Sequence, residues 1–185
     1  MQPTLVRDMA TAVLKKVKSS ADSKRIALRN NFWPGLDAKR LWIRTEKVGF
    51  TTIPRTMTLV GRIMNQLAGK GFPLSDTYLA LWCRVFDEAI VEVRNDRELA
   101  FESGFSGTRG VVTWRARMKM LQELGFIDIR AGLASDFQYI LIYNPILVIA
   151  ETYQRLNLPQ DIAYEALKAR LIEIGAAEEL SVIAS

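Results

Sequence analysis

Between Thr108 and Lys119 four cations, Arg109, Arg115, Arg117 and Lys119, are set among Thr108, Val112, Thr113 and Ala116. Guanidinium and ammonium groups donate hydrogen bonds and accept none, so the chemistry open to this cluster is the binding of phosphate and other acceptors. Apolar residues recur at Val111, Trp114, Met118, Leu121 and Leu124, the three-and-four spacing of one helix face. At about 100° per residue, with Trp114 at the centre of the buried side, Arg109, Val112, Ala116 and Lys119 fall on the far face. Arg115 lies on one flank and Arg117 on the other. Thr108 and Thr113 stand near the helix start, where hydroxyls and free backbone amides suit phosphate. For Arg117 a second role is open, a cation snorkelling beside the core or pairing with Glu98.

Other chemistry is hard to build from these residues. The 185-residue chain has no histidine and one cysteine, Cys83, which removes intrachain disulfides, His-based metal sites and every His-dependent triad. Cys83 stands beside Trp82 and Phe86 on an apolar helical stripe and reads as inert packing. GFSGTRG at 104–110 spaces its glycines by three but lacks the GK[ST] ending of a P-loop, and it follows a short helix where that motif follows a strand. Asp87 and Glu88 are adjacent, a poor arrangement for an acid/base pair. No catalytic residue, metal or cofactor is expected.

The elements that position the cations run from Asn95 to Asn144. Asn95 with Glu98 three places on is a capping-box-like start for a short helix over 97–104. Ser106 and Gly107 make a turn, the cationic helix spans 108–124, and Gly125 ends it. The period then changes to two. Phe126, Ile127 and Ile129 lead to Arg130, AGLASD turns, and Phe137, Tyr139, Leu141 and Tyr143 alternate, so a hairpin is expected. Upstream, a helix over 76–88 capped by Ser75 or Asp76 carries Leu79, Trp82, Cys83, Phe86 and Ile90 on one face. Ile90 to Val93 then turns extended, a candidate third strand.

Two short helices followed by a hairpin resemble the winged helix-turn-helix domains of bacterial transcription regulators and of plasmid and phage control proteins. The likeness rests on Glu98, Leu99, Ala100, Gly104, Trp114, Met118, Leu121, Leu124, Gly125, Phe126 and Ile127. It implies a mainly α fold with a small β-hairpin wing, a winged helix-turn-helix core carrying an N-terminal basic arm and a C-terminal helical pair. It further implies that the far face of helix 108–124 enters the major groove of double-stranded DNA. There an arginine can grip guanine with two hydrogen bonds, while Val112 and Ala116 admit close approach and touch thymine methyls. Arg130 and the AGLASD tip would then lie at the minor groove. Winged helices also serve as protein-docking units, for which Val112 and an outward Met120 are suited, and a plasmid replication or partition factor would bind duplex DNA as well.

The rest of the chain frames this segment. Residues 1–50 hold 11 Lys or Arg against 4 Asp or Glu, whereas 151–185 hold 3 against 6, so one end suits a polyanion and the other does not. Thr4 to Val17 has the pattern of an amphipathic helix, SSADSK loosens the chain, and 24–47 interleaves cations with Phe32, Trp33 and Trp42 around a Trp33-Pro34-Gly35 break. This arm either contacts phosphates, through Lys39, Arg40 and Arg44 among others, or straps the domain with its charges solvated. Gly49 to Ile53 is β-prone, and a helix after Pro54 aligns Met57, Val60, Met64 and Leu67. Residues 51–144 thus form the winged domain. In 145–185, Asn144-Pro145 launches a helix to Leu156 and Pro159 starts another with Ala163, Leu167, Leu171 and Ile174 as its stripe, before a weakly structured tail. That pair either packs back on its own domain or makes a homodimer. No stretch reaches the ~20 apolar residues of a membrane-spanning helix, and a reducing cytoplasm fits the cysteine usage.

Overall fold

Trp114, Met118 and Leu121 are wholly buried at the centre of a continuous apolar core that draws on helices and sheet alike. The computed structural model describes residues 22–181, so the helix expected over Thr4–Val17 lies outside the described residues. The chain divides into two units, Met1–Val48 and Gly49–Ser185.

In the first unit residues 22–32 form helix α1, which takes in Asp22, Ser23 and Lys24, the described part of the SSADSK stretch expected to loosen the chain. The helix stops before Trp33-Pro34-Gly35, as proline at position 34 disfavours helical geometry in the residue preceding it. Short 3-10 turns follow at Ala38–Arg40 and Arg44–Glu46. Phe32, Trp33 and Trp42 are exposed.

The second unit is mainly helical with one small antiparallel sheet. Its order is α2 (Met57–Ala68), α3 (Ser75–Trp82), β1 (Ile90–Glu92), α4 (Asp96–Glu102), α5 (Gly110–Glu123), β2 (Ile127–Arg130), β3 (Tyr139–Ile142), α6 (Pro145–Arg155), α7 (Ile162–Glu173) and α8 (Glu178–Ser181). The β-prone 49–53 segment forms no strand. Met57, Val60 and Met64 of α2 face the core as their spacing requires. Gly61 lets α3 approach, since a Cβ there would stand 3.0 Å from that of Ser75. The start of α3 is capped from α2: the Asn65 Oδ1 accepts from the amides of Leu74 (2.6 Å) and Ser75 (3.0 Å), a role the sequence suggested for Ser75 or Asp76.

Helix α3 ends at Trp82, six residues short of expectation. Arg84 instead reaches α4, where its guanidinium donates to Glu102 and Glu98, and Ala89 takes a left-handed φ of 57° to enter β1. These two carboxylates raise the Arg84 pKa, the hydrogen bond to Glu102 most of all. The early end turns Cys83 and Phe86 outward, so Cys83 is exposed and does not pack in the core.

The sheet order is β1-β3-β2, all antiparallel, with Ile90 opposite Leu141 and Ile129 opposite Ile140. Ile90–Glu92 therefore does join the hairpin as a third strand. The inward row of β3 is Ile140 and Ile142, while Tyr139, Leu141 and Tyr143 are 40%, 40% and 43% exposed on the opposite face. Both rows of YILIY are apolar, so a period of two marks the strand without saying which row faces in.

Asn144 caps α6 by accepting from the Ile146 amide at 3.0 Å, with Pro145 in the first helical position. Helix α7 begins beyond Pro159, because the Asp161 side chain accepts from the Tyr164 amide and sets the start at Ile162. Tyr153 stacks on Tyr164 with centroids 4.4 Å apart, joining the two helices. Ala163, Leu167 and Leu171 are buried within the chain, where α6 and α7 pack on α2. This stripe packs on the chain's own core, and 145–185 falls in the second unit together with the preceding elements. Within the tail expected to be weakly structured, Glu178–Ser181 form the short α8, and residues 182–185 lie outside the described residues. No helix among the described residues is long and apolar enough to cross a membrane.

Candidate nucleic-acid interface

Helix α4 starts where Asn95 accepts from the Arg97 amide at 3.1 Å. Its end and the turn into α5 need two left-handed residues, supplied by Gly104 (φ 84°) and Gly107 (φ 77°). Gly110 serves differently: a Cβ on it would lie 2.9 Å from the Phe105 carbonyl oxygen, so its small size lets the turn fold against the first residue of α5. The glycine-rich FSGTRG segment is thus a close-packed corner between two helices.

The corner delays the start of α5 to Gly110, two residues beyond expectation, and leaves Thr108 and Arg109 exposed in the turn before it. Trp114 anchors the helix, packed against Phe137 with centroids 5.5 Å apart. On the far side Val112 is 68% exposed, and Arg109, Ala116 and Lys119 are exposed with it. Arg109 and Lys119 make no ion pair among the described residues. Glu123 is exposed as well and puts an acid at the C-terminal end of the same face, so the cationic part of the helix is its N-terminal two-thirds.

The other sequence candidates separate. Arg115 is half exposed but directs Nε and Nη2 at the Asp96 carboxylate, at 2.9 and 2.7 Å. Arg117 is not on the surface: it is 8% exposed, its guanidinium lies 3.6 Å over the Phe72 ring, and it donates to the Gly71 carbonyl at 3.2 Å. Burial lowers its pKa. It therefore leaves the set of nucleic-acid contacts, and Glu98, its suggested partner, belongs to Arg84. Met120 is partly buried, packed against the core, so only part of it faces outward. Thr113 donates its hydroxyl to the Arg109 carbonyl at 3.1 Å, within its own helix. Arg130 is exposed at the end of β2 and pairs with Asp128 at 2.9 Å, which leaves the hairpin tip without a free cation. Lys39, Arg40 and Arg44 are exposed in the first unit.

Two residues overlooked in the sequence enter here. Arg94 and Arg97 line an open cleft of about 880 Å³ together with Ser106, Thr108, Arg115 and Ala134. Their signal was the RNDR run at the helix cap, one cation on each side of Asn95-Asp96. Arg115 is held by Asp96, so two guanidiniums, of which Arg94 also lies 3.4 Å from Glu92, and two hydroxyls make the part of this opening suited to an anionic backbone. Comparison of the chain with protein-family models, with curated proteins and with solved structures found no match.

Proposed function

We propose that this protein binds double-stranded DNA sequence-specifically, as a winged helix-turn-helix protein with α5 as the helix that reads the major groove. One observation carries the reading: α5 is pinned by a fully buried Trp114 and turns Val112, Ala116 and Lys119 outward, with Arg109 exposed in the turn before it, in the element order α3-β1-α4-α5-β2-β3. Arg109 is the base-reading cation, Val112 and Ala116 give close approach, and Thr108, Arg94 and Arg97 hold the phosphate backbone. A transcriptional regulator or a control protein of a plasmid or mobile element is the role in which such a domain acts, and the cytoplasm is where it would act.

A second reading is supported by the outer sheet face, where Ile90, Tyr139, Leu141 and Tyr143 leave an apolar strip between Glu92 and Arg130. Such a strip suits a docking module for another protein. Titrating random-sequence duplex DNA at two salt concentrations separates the two. Binding that weakens steeply with salt supports the first reading, and none at either concentration supports the second.

A further inference from the structure

Asp96 opens α4 and is 8% exposed, yet its carboxylate meets two other elements. One oxygen accepts both Nε and Nη2 of Arg115 on α5. The other accepts the Ser135 hydroxyl of the hairpin loop at 2.8 Å. That loop is organised around the same serine. The Ser135 Oγ accepts from the Phe137 amide at 3.0 Å, its carbonyl accepts from the Gly132 amide at 2.9 Å, and the Gln138 side chain accepts from the Ala134 amide at 2.9 Å. Arg115 in turn lies 5.7 Å from the centre of the Phe137 ring. The hairpin tip is therefore tied to α4 and α5 through one buried carboxylate.

We propose that Asp96 is a positioning residue that sets the selectivity of this surface in two ways. It fixes the loop 131–137 relative to α5, and it withholds Arg115 from the polyanion by holding its guanidinium as an internal partner. A buried carboxylate with three charge-assisted or hydroxyl donors is a strong, directional tie. A cation committed to it adds little to sequence-independent attraction. Without Asp96 the loop would lose its anchor and Arg115 would be free to neutralise a phosphate, so binding would become stronger to any duplex and less discriminating. The selectivity part rests on the DNA-binding reading above; the tie itself does not.

Asp96→Asn keeps the shape and removes the charge, and Ser135→Ala cuts the loop limb alone. In the free protein, Asp96→Asn should speed amide exchange across 131–137 about tenfold while α2 and α3 keep their protection. In the nitrogen-proton spectrum the Arg115 Nε proton should exchange slowly in the wild type and fast in this variant. Against a random duplex at 0.15 M salt its affinity should rise about fivefold, with the log–log salt slope steeper by about 0.9, the signature of one added phosphate contact. Its preference for duplexes selected by the wild type should fall about tenfold. Ser135→Ala should speed loop exchange with the salt slope unchanged. Uniformly faster exchange with both affinities reduced alike would mean a merely structural role and overturn the proposal, as would an unchanged loop or an unchanged Arg115 proton. If the wild type binds no duplex, the DNA-binding reading fails while the two free-protein signals still decide the tie.

Discussion

Replacing Gly110 with alanine tests the corner on which the orientation of α5 depends. Two effects oppose each other. Alanine in a helix is favoured over glycine by about 1 kcal/mol, and less in the first turn where the backbone is only partly fixed. Against this, the new Cβ would meet the Phe105 carbonyl oxygen at 2.9 Å and its carbon at 3.1 Å. These are backbone atoms, tied by the Phe105 amide to the Ala100 carbonyl at 2.9 Å, and they cannot swing aside as a side chain would. Overpacking of this kind costs about 1–3 kcal/mol. The clash wins, leaving a net loss of about 1–2 kcal/mol, or a Tm lowered by about 3–6 °C for a unit of this size. Thermal unfolding followed by circular dichroism reads this directly, with Val112→Ala as an exposed control expected within about 0.5 kcal/mol of the wild type. Because α4 and α5 must part by a few tenths of an ångström, affinity for a selected duplex should also fall. A Gly110→Ala variant as stable as the wild type, or more so, would refute the close approach and the corner built on it.

Four further outcomes follow from the same geometry. Trp114→Ala should destabilise by about 3–5 kcal/mol in denaturant titration, since it empties a wholly buried site against Phe137. Arg117→Ala should lower stability by about 2 kcal/mol through the lost Phe72 stacking and Gly71 hydrogen bond, yet leave the salt slope for random duplex unchanged; a flatter slope would return Arg117 to the interface. Burial pushes the Tyr78 pKa up to about 12, above the ~10 of an exposed tyrosine, so its contribution is complete below pH ~10 and lost as pH rises toward ~12. The midpoint of denaturant unfolding should fall in that window, less steeply in Tyr78→Phe. Lys39→Ala should weaken every duplex alike and flatten the salt slope by about 0.9 if the arm meets phosphate, and change nothing if it does not.

The helices were legible wherever one apolar stripe faced a core. Trp114, Met118 and Leu121 announced α5, and Asn144-Pro145 announced α6, because capping chemistry and helical period agree there. Ile90 to Val93 was legible as extended chain from its β-branched residues, and Ile90–Glu92 does form the third strand. What escaped was decided by partners distant in sequence. Asn65 caps α3 from another helix, Arg84 turns from its end to α4, and Ile140 rather than Tyr139 is the residue of β3 buried in the core. The candidate site divides along the same line. The outward placement of Val112, Ala116 and Lys119 followed from angular bookkeeping about Trp114, whereas Arg109 is exposed in the turn before the helix. The fate of the flanking arginines did not, since it rests on Asp96 nineteen residues before Arg115 and on Gly71 forty-six residues before Arg117. Spacing along one helix carries no information about such partners.

The most direct test of DNA reading by α5 is the affinity of Arg109→Ala for two probes, a duplex selected from a random pool by the wild type and the unselected pool itself. The account predicts that the variant loses about 1–3 kcal/mol on the selected duplex, with its base preference relaxed at one position, and far less on the pool. An equal loss on both probes, or no loss on either, would contradict the placement of Arg109 at a base edge.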